Sequence, residues 1–175
     1  MVVVRELALD MEIETSRLRI RSFRTQDHDD YYEIVADPDV MKHLGGVLSS
    51  GRAMKYIEHA MQTESEYGFA RYAVELKESG DLIGMCGFAP VRDYIDLGYR
   101  FAKNKWGYGF ATEATSAVVN SGFTKNGFDQ IVGLAHPDNG ASIRVLQKLG
   151  FSYVQDEVTP MGMKAKRYVA KNSTR

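Results

Sequence analysis

Alternation of polar and apolar residues marks the first strand of this chain. Residues 17–21 read Arg-Leu-Arg-Ile-Arg, which has the period of two that a half-buried strand shows. Its three arginines share one face, which we expect either to be solvated or to contact an acidic partner or substrate. A helix is then predicted from Thr25 to Asp37-Pro38, and a second helix over residues 51–67, where apolar residues recur at helical spacing.

The rest of the chain alternates strands with two more helices. Turn-forming residues at 78–81 separate two strand-like runs, so these runs should form a hairpin with the next strand as an antiparallel neighbour. The predicted strands cover 69–76, 82–88, 95–101, 131–135, 151–158 and 164–169, and the predicted helices cover 110–125 and 139–149. Gly150 follows the last helix as its left-handed cap.

This order of elements predicts a single domain over residues 1–175, with a core over about residues 12–170, of the α+β class. We expect a mixed, mostly antiparallel sheet of about six or seven strands with about four helices. The helix over 110–125 joins the strands 95–101 and 131–135, and such a crossover requires the two strands to be parallel. Where this parallel pair splays apart, a cleft opens that a long, thin ligand could enter.

Composition narrows the function classes. The chain has 175 residues, of which 44% are hydrophobic and 26% charged, and its formal net charge of −1 argues against a general binder of nucleic acid or membrane surfaces. No apolar run reaches the ~20 residues of a membrane helix. The single cysteine, Cys86, excludes an internal disulfide and favours a cytoplasmic location. Since it lies in an apolar strand, we expect a buried small hydrophobe rather than a nucleophile.

A glycine-rich turn before the helix over 110–125 is the strongest functional signal. Residues 105–114 read Lys-Trp-Gly-Tyr-Gly-Phe-Ala-Thr-Glu-Ala. Gly107 and Gly109 lack a Cβ, so a ligand can approach the backbone closely. The first N–H groups of the helix have no intrahelical partner and lie at the positive end of its dipole, so the turn can bind an anion such as a pyrophosphate. The alternative is a turn without a ligand.

A second cluster follows the strand 131–135. Asn139 is a good N-cap for the next helix, and Ser142, one turn later, faces back towards the helix start. Both residues have a purely structural alternative, a capped helix with a satisfied hydroxyl. His136 is either a base at the strand end or a turn residue before Pro137, and the four histidines of the chain show no metal-ligand spacing, so no metal is expected.

Together these segments resemble the GNAT superfamily of acetyl-CoA-dependent N-acetyltransferases, in the branch of the ribosomal-protein alanine N-acetyltransferases (RimJ/RimL-type). Three segments in this order carry the resemblance: residues 14–21, Leu97-Gly98-Tyr99 with 106–114, and 139–151. Two positions depart from the superfamily. Trp106 stands where the phosphate loop usually begins with Gln or Arg, as is common in this branch, and Leu146 replaces a tyrosine that often protonates the leaving thiolate.

The resemblance implies that acetyl-CoA binds as cosubstrate in the cleft between the two parallel strands. Backbone groups of Phe101, Ala102 and Lys103 would pair with the pantetheine arm. Asn139 and Ser142 would line the thiol end. The pyrophosphate would be held along the loop and the helix start, by Trp106, Gly107, Tyr108, Gly109, Phe110, Ala111 and Thr112.

The implied reaction is direct attack of an amine on a thioester. A typical amine is ammonium at pH 7, so a base must take a proton. Asp96, on the strand beside the cofactor arm, is the first candidate, directly or through water, and its alternative is a solvent-facing strand carboxylate. Because a thiol has a pKa of only about 8.5, the thiolate leaves readily. Ser142 and then Tyr153 are the candidate general acids.

The amine acceptor stays open between a protein N-terminus, an amino acid, a polyamine and a drug amine. We expect its site to be shaped by the first two helices and the final hairpin, including Met41, His43 and Tyr67. A homodimer is compatible with the sequence. A dinucleotide-binding turn is disfavoured because its third glycine position is Thr112. A non-catalytic acyl-CoA sensor or scaffold would carry the same cradle, and release of free thiol with an acceptor distinguishes it from an enzyme.

Overall fold

In the computed structural model, which describes residues 11–159 and 161–173, eight strands form one mixed sheet. The strands are β1 Glu12–Glu14, β2 Leu18–Arg21, β3 Arg71–Leu76, β4 Leu82–Val91, β5 Tyr94–Phe101, β6 Gln130–Ala135, β7 Ser152–Val158 and β8 Lys164–Lys171. Their order across the sheet is β1-β2-β3-β4-β5-β6-β8-β7. Every neighbouring pair is antiparallel except β5 and β6, which are parallel as expected.

Helices cover both faces of this sheet. They are α1 His28–Val35, α2 Pro38–Met41, α3 Ser50–Tyr67, α4 Phe110–Thr124 and α5 Gly140–Lys148. The first three pack on one face, where Tyr31 and Ile57 join a core with Ala73. The α4 helix packs on the other face, where Val118 joins a core with Val74. Because side chains alternate along a strand, neighbouring residues of β3 serve opposite cores. None of the described helices combines the length and apolarity needed to span a bilayer.

The expected α+β class is confirmed, with two additions at the level of single elements. The sheet has an eighth strand, since β1 pairs with β2 at its edge. The helix α2 begins where the sequence predicted only the end of α1. The Asp37 carboxylate accepts hydrogen bonds from the N–H groups of Asp39 and Val40, and Pro38 occupies the first helical position. One dipeptide therefore ends one helix and begins the next.

The three arginines of residues 17–21 all pair with carboxylates of the chain itself, while Arg17 and Arg19 stay partly exposed to solvent. Arg21 is buried and donates to Asp27 at 2.8 Å and to Glu75 at 2.6 Å. Hydrogen bonds donated to Asp27 in particular raise the pKa of Arg21, so its charge is retained in the interior. Arg17 pairs with Glu113, and Arg19 pairs with Glu12 and Glu14 of β1. The alternation in β2 was recognised correctly, but the partners of its arginines lie elsewhere in the chain.

Close packing of α4 on β4 depends on one small residue of this helix, Gly122. A Cβ placed on Gly122 would lie 2.7 Å from the ring of Phe88 and 3.1 Å from that of Phe128. Gly122 thus lets the helix backbone lie close to the sheet. This packing fixes the position of α4 on the sheet, and with it the position of the helix N-terminus.

Replacing Gly122 with alanine should therefore lower the free energy of unfolding by about 1–3 kcal/mol, because the added methyl group overpacks the contact with Phe88. Gly51→Ala is the matched control. Gly51 is also helical, but a Cβ there would have no neighbour within 4 Å. This control should be neutral or more stable by up to about 1 kcal/mol. Urea unfolding of both variants measures the difference, and equal effects would contradict the packing argument.

Candidate active site

The strands β5 and β6 separate soon after they meet. Their pairing covers only Asp96 with Val132 and Leu97 with Gly133. Beyond this point β5 continues to Phe101 and is paired with β4. The Ala102 N–H donates to the Ile83 carbonyl on the β4 side at 2.8 Å. Because backbone groups alternate sides along a strand, those of Tyr99 and the Phe101 N–H point the other way, into the gap.

A groove of about 1010 Å³ opens at this gap. It is lined from both faces of the sheet: by β5, the loop after it and the starts of α4 and α5, and by α2, Tyr56 of α3 and Arg71 of β3. Three cationic side chains, Lys105, Arg144 and Lys148, lie along it near the glycine-rich loop and α5. The groove therefore combines an unpaired strand edge with positive charge.

The glycine-rich loop presents its N–H groups to this groove. Gly107 and Gly109 both have φ of +82°, a conformation that favours glycine. Within the described part of the chain, the backbone N–H groups from Gly107 to Thr112 make no hydrogen bond of acceptable geometry. This run of free donors ends at the N-terminus of α4, where an anion is stabilised.

Trp106 and Ala102 differ from what the sequence predicted. The Trp106 N–H donates to the Lys103 carbonyl at 3.1 Å, and its indole Nε1 donates to the Phe101 carbonyl at 2.9 Å. Trp106 thus closes the turn and does not offer its N–H to an anion. Both backbone groups of Ala102 are also engaged, with Ile83 and Lys105. These two residues fall outside the set of free backbone groups because the loop needs them for its own shape.

An ion pair from the turn between β1 and β2 holds the loop in place. The Arg17 Nε donates to Glu113 Oε2 at 2.7 Å, and its Nη1 donates to the Tyr108 carbonyl at 3.0 Å. The Thr15 hydroxyl donates to Glu113 Oε1 at 2.6 Å. Although partial burial opposes ionisation, hydrogen bonds from Thr15 and Arg17 lower the pKa of Glu113. Two of the segments that carried the sequence resemblance therefore meet here and fix the start of α4.

The second cluster lies across the gap, on α5. Asn139 caps the helix as expected, and its Oδ1 accepts from the Ser142 N–H at 3.1 Å. The Ser142 hydroxyl lies 2.9 Å from the Tyr99 hydroxyl, and the Tyr99 hydroxyl lies 3.0 Å from the Ser142 carbonyl, to which it can donate. Burial raises the pKa of Tyr99, so this phenol keeps its proton. Sequence reasoning gave Tyr99 no role, although it ends the Leu-Gly-Tyr motif.

Leu146 occupies a purely apolar position. It is only 1% exposed, and a Cβ on Gly133 would lie 2.5 Å from its side chain. The residue therefore packs over β6 just where β5 departs. The hydroxyl that the superfamily often places on this helix is absent, but the Tyr99–Ser142 pair brings two hydroxyls to the same gap.

Asp96 is largely buried and forms an ion pair with Arg71 through its Oδ2. Arg71, Gly87 and Gly98 lie in one row across β3, β4 and β5. A Cβ on Gly98 would lie 1.1 Å from Arg71 Nη1, so only glycine leaves room for the arginine to reach Asp96. Burial raises the pKa of Asp96, although Arg71 opposes this shift. The alternative of a solvent-facing carboxylate does not fit this position.

Tyr153 lies outside the site. Its side chain is half exposed on β7, its hydroxyl donates to Asp156 at 3.0 Å, and it does not line the groove. This position does not fit a general acid.

Cys86 is fully buried, and burial raises its pKa to about 12, in agreement with the expected small hydrophobe. The side chain of Lys103 forms an exposed ion pair with Asp39 of α2.

Two histidines meet at the mouth of the groove. The rings of His43 and His136 stack with centroids 4.9 Å apart, and the His136 Nδ1 accepts from the Asp138 N–H at 3.1 Å. Burial is the main cause that lowers the pKa of His43, and the neighbouring His136 lowers it further.

Among residues 11–159 and 161–173, no three His, Cys, Asp or Glu side chains are placed to hold a metal ion. Tyr67, expected near the acceptor, does not line the groove.

Comparisons with known proteins agree with this geometry. A family model described as an acetyltransferase (GNAT) domain matches residues 17–152. The uncharacterized N-acetyltransferase p20 of Bacillus licheniformis is 30% identical over 144 residues, which cover 78% of this chain and 80% of that protein. A GNAT-family acetyltransferase from Bacillus anthracis is similar in structure, with a TM-score of 0.82, 25% identity and coverage of 93% of this chain and 99% of the other.

A third similarity concerns the fold alone. The ribosomal-protein alpha-N-acetyltransferase RimL, in complex with Coenzyme A, has a TM-score of 0.80 at 15% identity and covers 94% of this chain and 100% of its own.

Asp96→Asn should destabilise the fold on the order of 3 kcal/mol, because it leaves Arg71 largely buried without its counter-charge. The double variant Arg71→Met/Asp96→Asn removes both charges and should be closer to the native protein than the sum of the two single variants. Chemical denaturation of the two single variants and the double variant gives the coupling energy. A coupling energy near zero would show that the ion pair does not stabilise the site.

Proposed function

The chain belongs to the family of GNAT acetyltransferases, and on that basis we propose that it transfers the acetyl group of acetyl-CoA to a primary amine by direct attack. The acceptor is a protein N-terminus or a small-molecule amine. The observation that supports this most strongly is the run of free N–H groups from Gly107 to Thr112 beside the unpaired edge of β5. A polyanion with an extended amide arm is the ligand that such a pair of features fits.

Acetyl-CoA fits the residues that line the groove. The free N–H groups of the loop suit its diphosphate, and the unpaired groups of Tyr99 and Phe101 suit the amides of its pantetheine arm, as an added strand would. Lys105, Arg144 and Lys148 complement its negative charge. When bound, acetyl-CoA supplies an acetyl group activated as a thioester. The protein must then supply a proton acceptor, a hydrogen-bond donor and a place for the amine.

Asp96 is the proposed proton acceptor. Arg71 holds its Oδ2, while Oδ1 has no hydrogen-bond partner among the described residues, and Asp96 lines the groove. The carboxylate is therefore fixed in orientation with one oxygen available to take a proton from the ammonium group, directly or through water. Its raised pKa makes it a better base than a solvated aspartate, because burial has reduced the stability of its charged form.

The Tyr99–Ser142 pair is the proposed donor to the leaving sulfur. Because its pKa is raised, Tyr99 keeps its proton, so the pair donates a hydrogen bond and does not need to surrender a proton. A hydrogen bond is sufficient to assist departure of the sulfur, because a thiol with a pKa of about 8.5 leaves readily as the thiolate. Ser142 thereby keeps the role at the leaving sulfur that the sequence analysis proposed for it. Tyr99 takes the role proposed there for Tyr153.

Gly109→Trp should weaken the binding of CoA, because its side chain fills the path by which a diphosphate reaches the loop. Gly80→Trp is the matched control, since Gly80 has a similar φ of +76° and open surroundings but lies in the turn between β3 and β4, outside the groove. We expect a rise in Kd of at least about tenfold for Gly109→Trp only, corresponding to about 1.4 kcal/mol. Calorimetric titration with CoA measures it, and an unchanged Kd in a folded variant would remove the loop from the proposal.

Asp96→Asn should also lower kcat by about 10²–10⁴-fold, the range for loss of a positioned general base, while the Kd for CoA stays nearly unchanged. The assay follows free thiol released from acetyl-CoA across a panel of amines, at a temperature where circular dichroism shows the variant to be folded. Normal turnover by the folded variant would exclude Asp96 as the base. Release of no thiol with any amine, despite CoA binding, would instead favour a non-catalytic CoA-binding protein.

A further inference from the structure

Arg100 is a cation in the groove without a counter-charge. It lies on β5, on the same strand face as Asp96 and Gly98, and lines the groove. Over the described residues, no carboxylate oxygen comes within 4.0 Å of its guanidinium nitrogens, whereas Arg71 pairs with Asp96 and Arg167 with Glu157. Two guanidinium groups, those of Arg71 and Arg100, thus share this part of the groove with one carboxylate, that of Asp96.

The contacts that Arg100 does make are weak. Its Nη1 lies 3.5 Å from the Met41 sulfur, and its guanidinium lies 5.2 Å from the ring centroid of Tyr56. The Nε is buried and lacks a hydrogen-bond partner among the described residues. A half-buried cation with such partners is costly unless an anion completes it.

Two further unpaired donors lie near Arg100, of which only Tyr56 lines the groove. The hydroxyls of Tyr31 and Tyr56 are buried without a hydrogen-bond partner of acceptable geometry in the described ranges, and their rings stack at 5.3 Å. A hydrogen bond between the two hydroxyls would satisfy only one of their two O–H donors, so at least one donor remains unpaired. Three of the five buried, unpaired side-chain atoms of the described chain therefore lie in this one cluster.

The shared chemistry of these groups defines their ligand. Both a guanidinium group and a phenol O–H can donate a hydrogen bond, and a guanidinium group cannot accept one. A carboxylate is an acceptor only, and its two oxygens match the guanidinium fork in a bidentate contact. A neutral amide or an ammonium group would leave the positive charge of Arg100 uncompensated. The subsite thus favours an anion, and a carboxylate matches it with both oxygens.

We propose that Arg100, together with Tyr56, binds a carboxylate carried by the acceptor, so that the acceptor is a small amino-carboxylate; this rests on the acetyl transfer proposed above. Asp96 lies four residues earlier on the same strand face, with Gly98 and the Arg71 side chain between them. At about 3.3 Å per residue, the two Cα atoms are about 13 Å apart. The side chains of Arg100 and Asp96 shorten this span, so we expect a molecule with an ammonium group at one end and a carboxylate at the other to reach both.

Binding of reaction products tests the subsite without relying on activity. The probes are N-acetylglycine, N-acetyl-β-alanine and N-acetyl-γ-aminobutyrate, each compared with its amide in the presence of CoA. At least one acid should raise the Tm of the native protein more than its amide does. Arg100→Gln should lose this difference. Arg52→Gln, which removes an exposed positive charge from α3 outside the groove, should retain it. No preference for any acid over its amide in the native protein would overturn the proposal.

Kinetics with the matching acceptors provide the second readout. Glycine, β-alanine and γ-aminobutyrate are compared with their amides and with 2-aminoethyl phosphate, by release of thiol from acetyl-CoA. Arg100→Gln should lower kcat/KM for the preferred acid roughly 10- to 150-fold, mainly through KM, the range for loss of a hydrogen bond to a charged group. The Arg100→Gln variant should change kcat/KM for the amide little. Arg100→Lys should recover part of the lost kcat/KM for the acid.

The two proposals fail in different ways. Equal losses for acid and amide in Arg100→Gln, or a preference for the phosphate, would overturn the carboxylate subsite and leave acetyl transfer intact. Absence of thiol release with every acceptor would count against acetyl transfer, while the Tm comparison would still decide whether Arg100 binds a carboxylate.

Discussion

The early separation of β5 from β6 is the constraint on which the site depends. Backbone N–H and C=O groups that leave a ladder must find other partners, so an unpaired strand edge at a groove pairs with water or with a ligand. The α5 helix secures this separation from both sides. Leu146 packs against Gly133 of β6, and Ser142 forms a hydrogen bond with Tyr99 of β5. The gap is therefore held open by packing and hydrogen bonding together.

The same constraint explains which residues the sequence could identify. The glycine-rich loop and the Asn139 cap are each written within a few neighbouring residues, and the crossover follows from the order of elements. The fold and family expected from these features were confirmed. The signal for α2, which the sequence analysis did not predict, is also local. The pair Asp37-Pro38 is compatible both with the end of one helix and with the start of the next. The strand β1 has only three residues, too few for a periodic pattern.

Partnerships between distant residues were beyond sequence reasoning. Arg71 and Asp96 are 25 residues apart, and Tyr99 and Ser142 are 43 apart, so no spacing rule connects them. Tyr153 was a candidate general acid on sequence grounds, and only the sheet order shows that its strand, β7, lies at the far edge. The loop residue Trp106 was misjudged for a different reason. Its N–H closes a turn of its own, which depends on backbone geometry that the residue type does not specify.

Strand alternation then divides the proposed reaction between the two faces of β5. Odd-numbered residues face α4 and α5: Leu97 enters their core, and Tyr99 meets Ser142. Even-numbered residues face the other side: Asp96 meets Arg71, and Arg100 lies beside Tyr56. A period of two therefore places the thioester chemistry and the acceptor on opposite sides of one backbone, and they can meet only where the neighbouring strand is missing. Gly98, between Asp96 and Arg100, is the position at which any side chain would separate the base from its arginine.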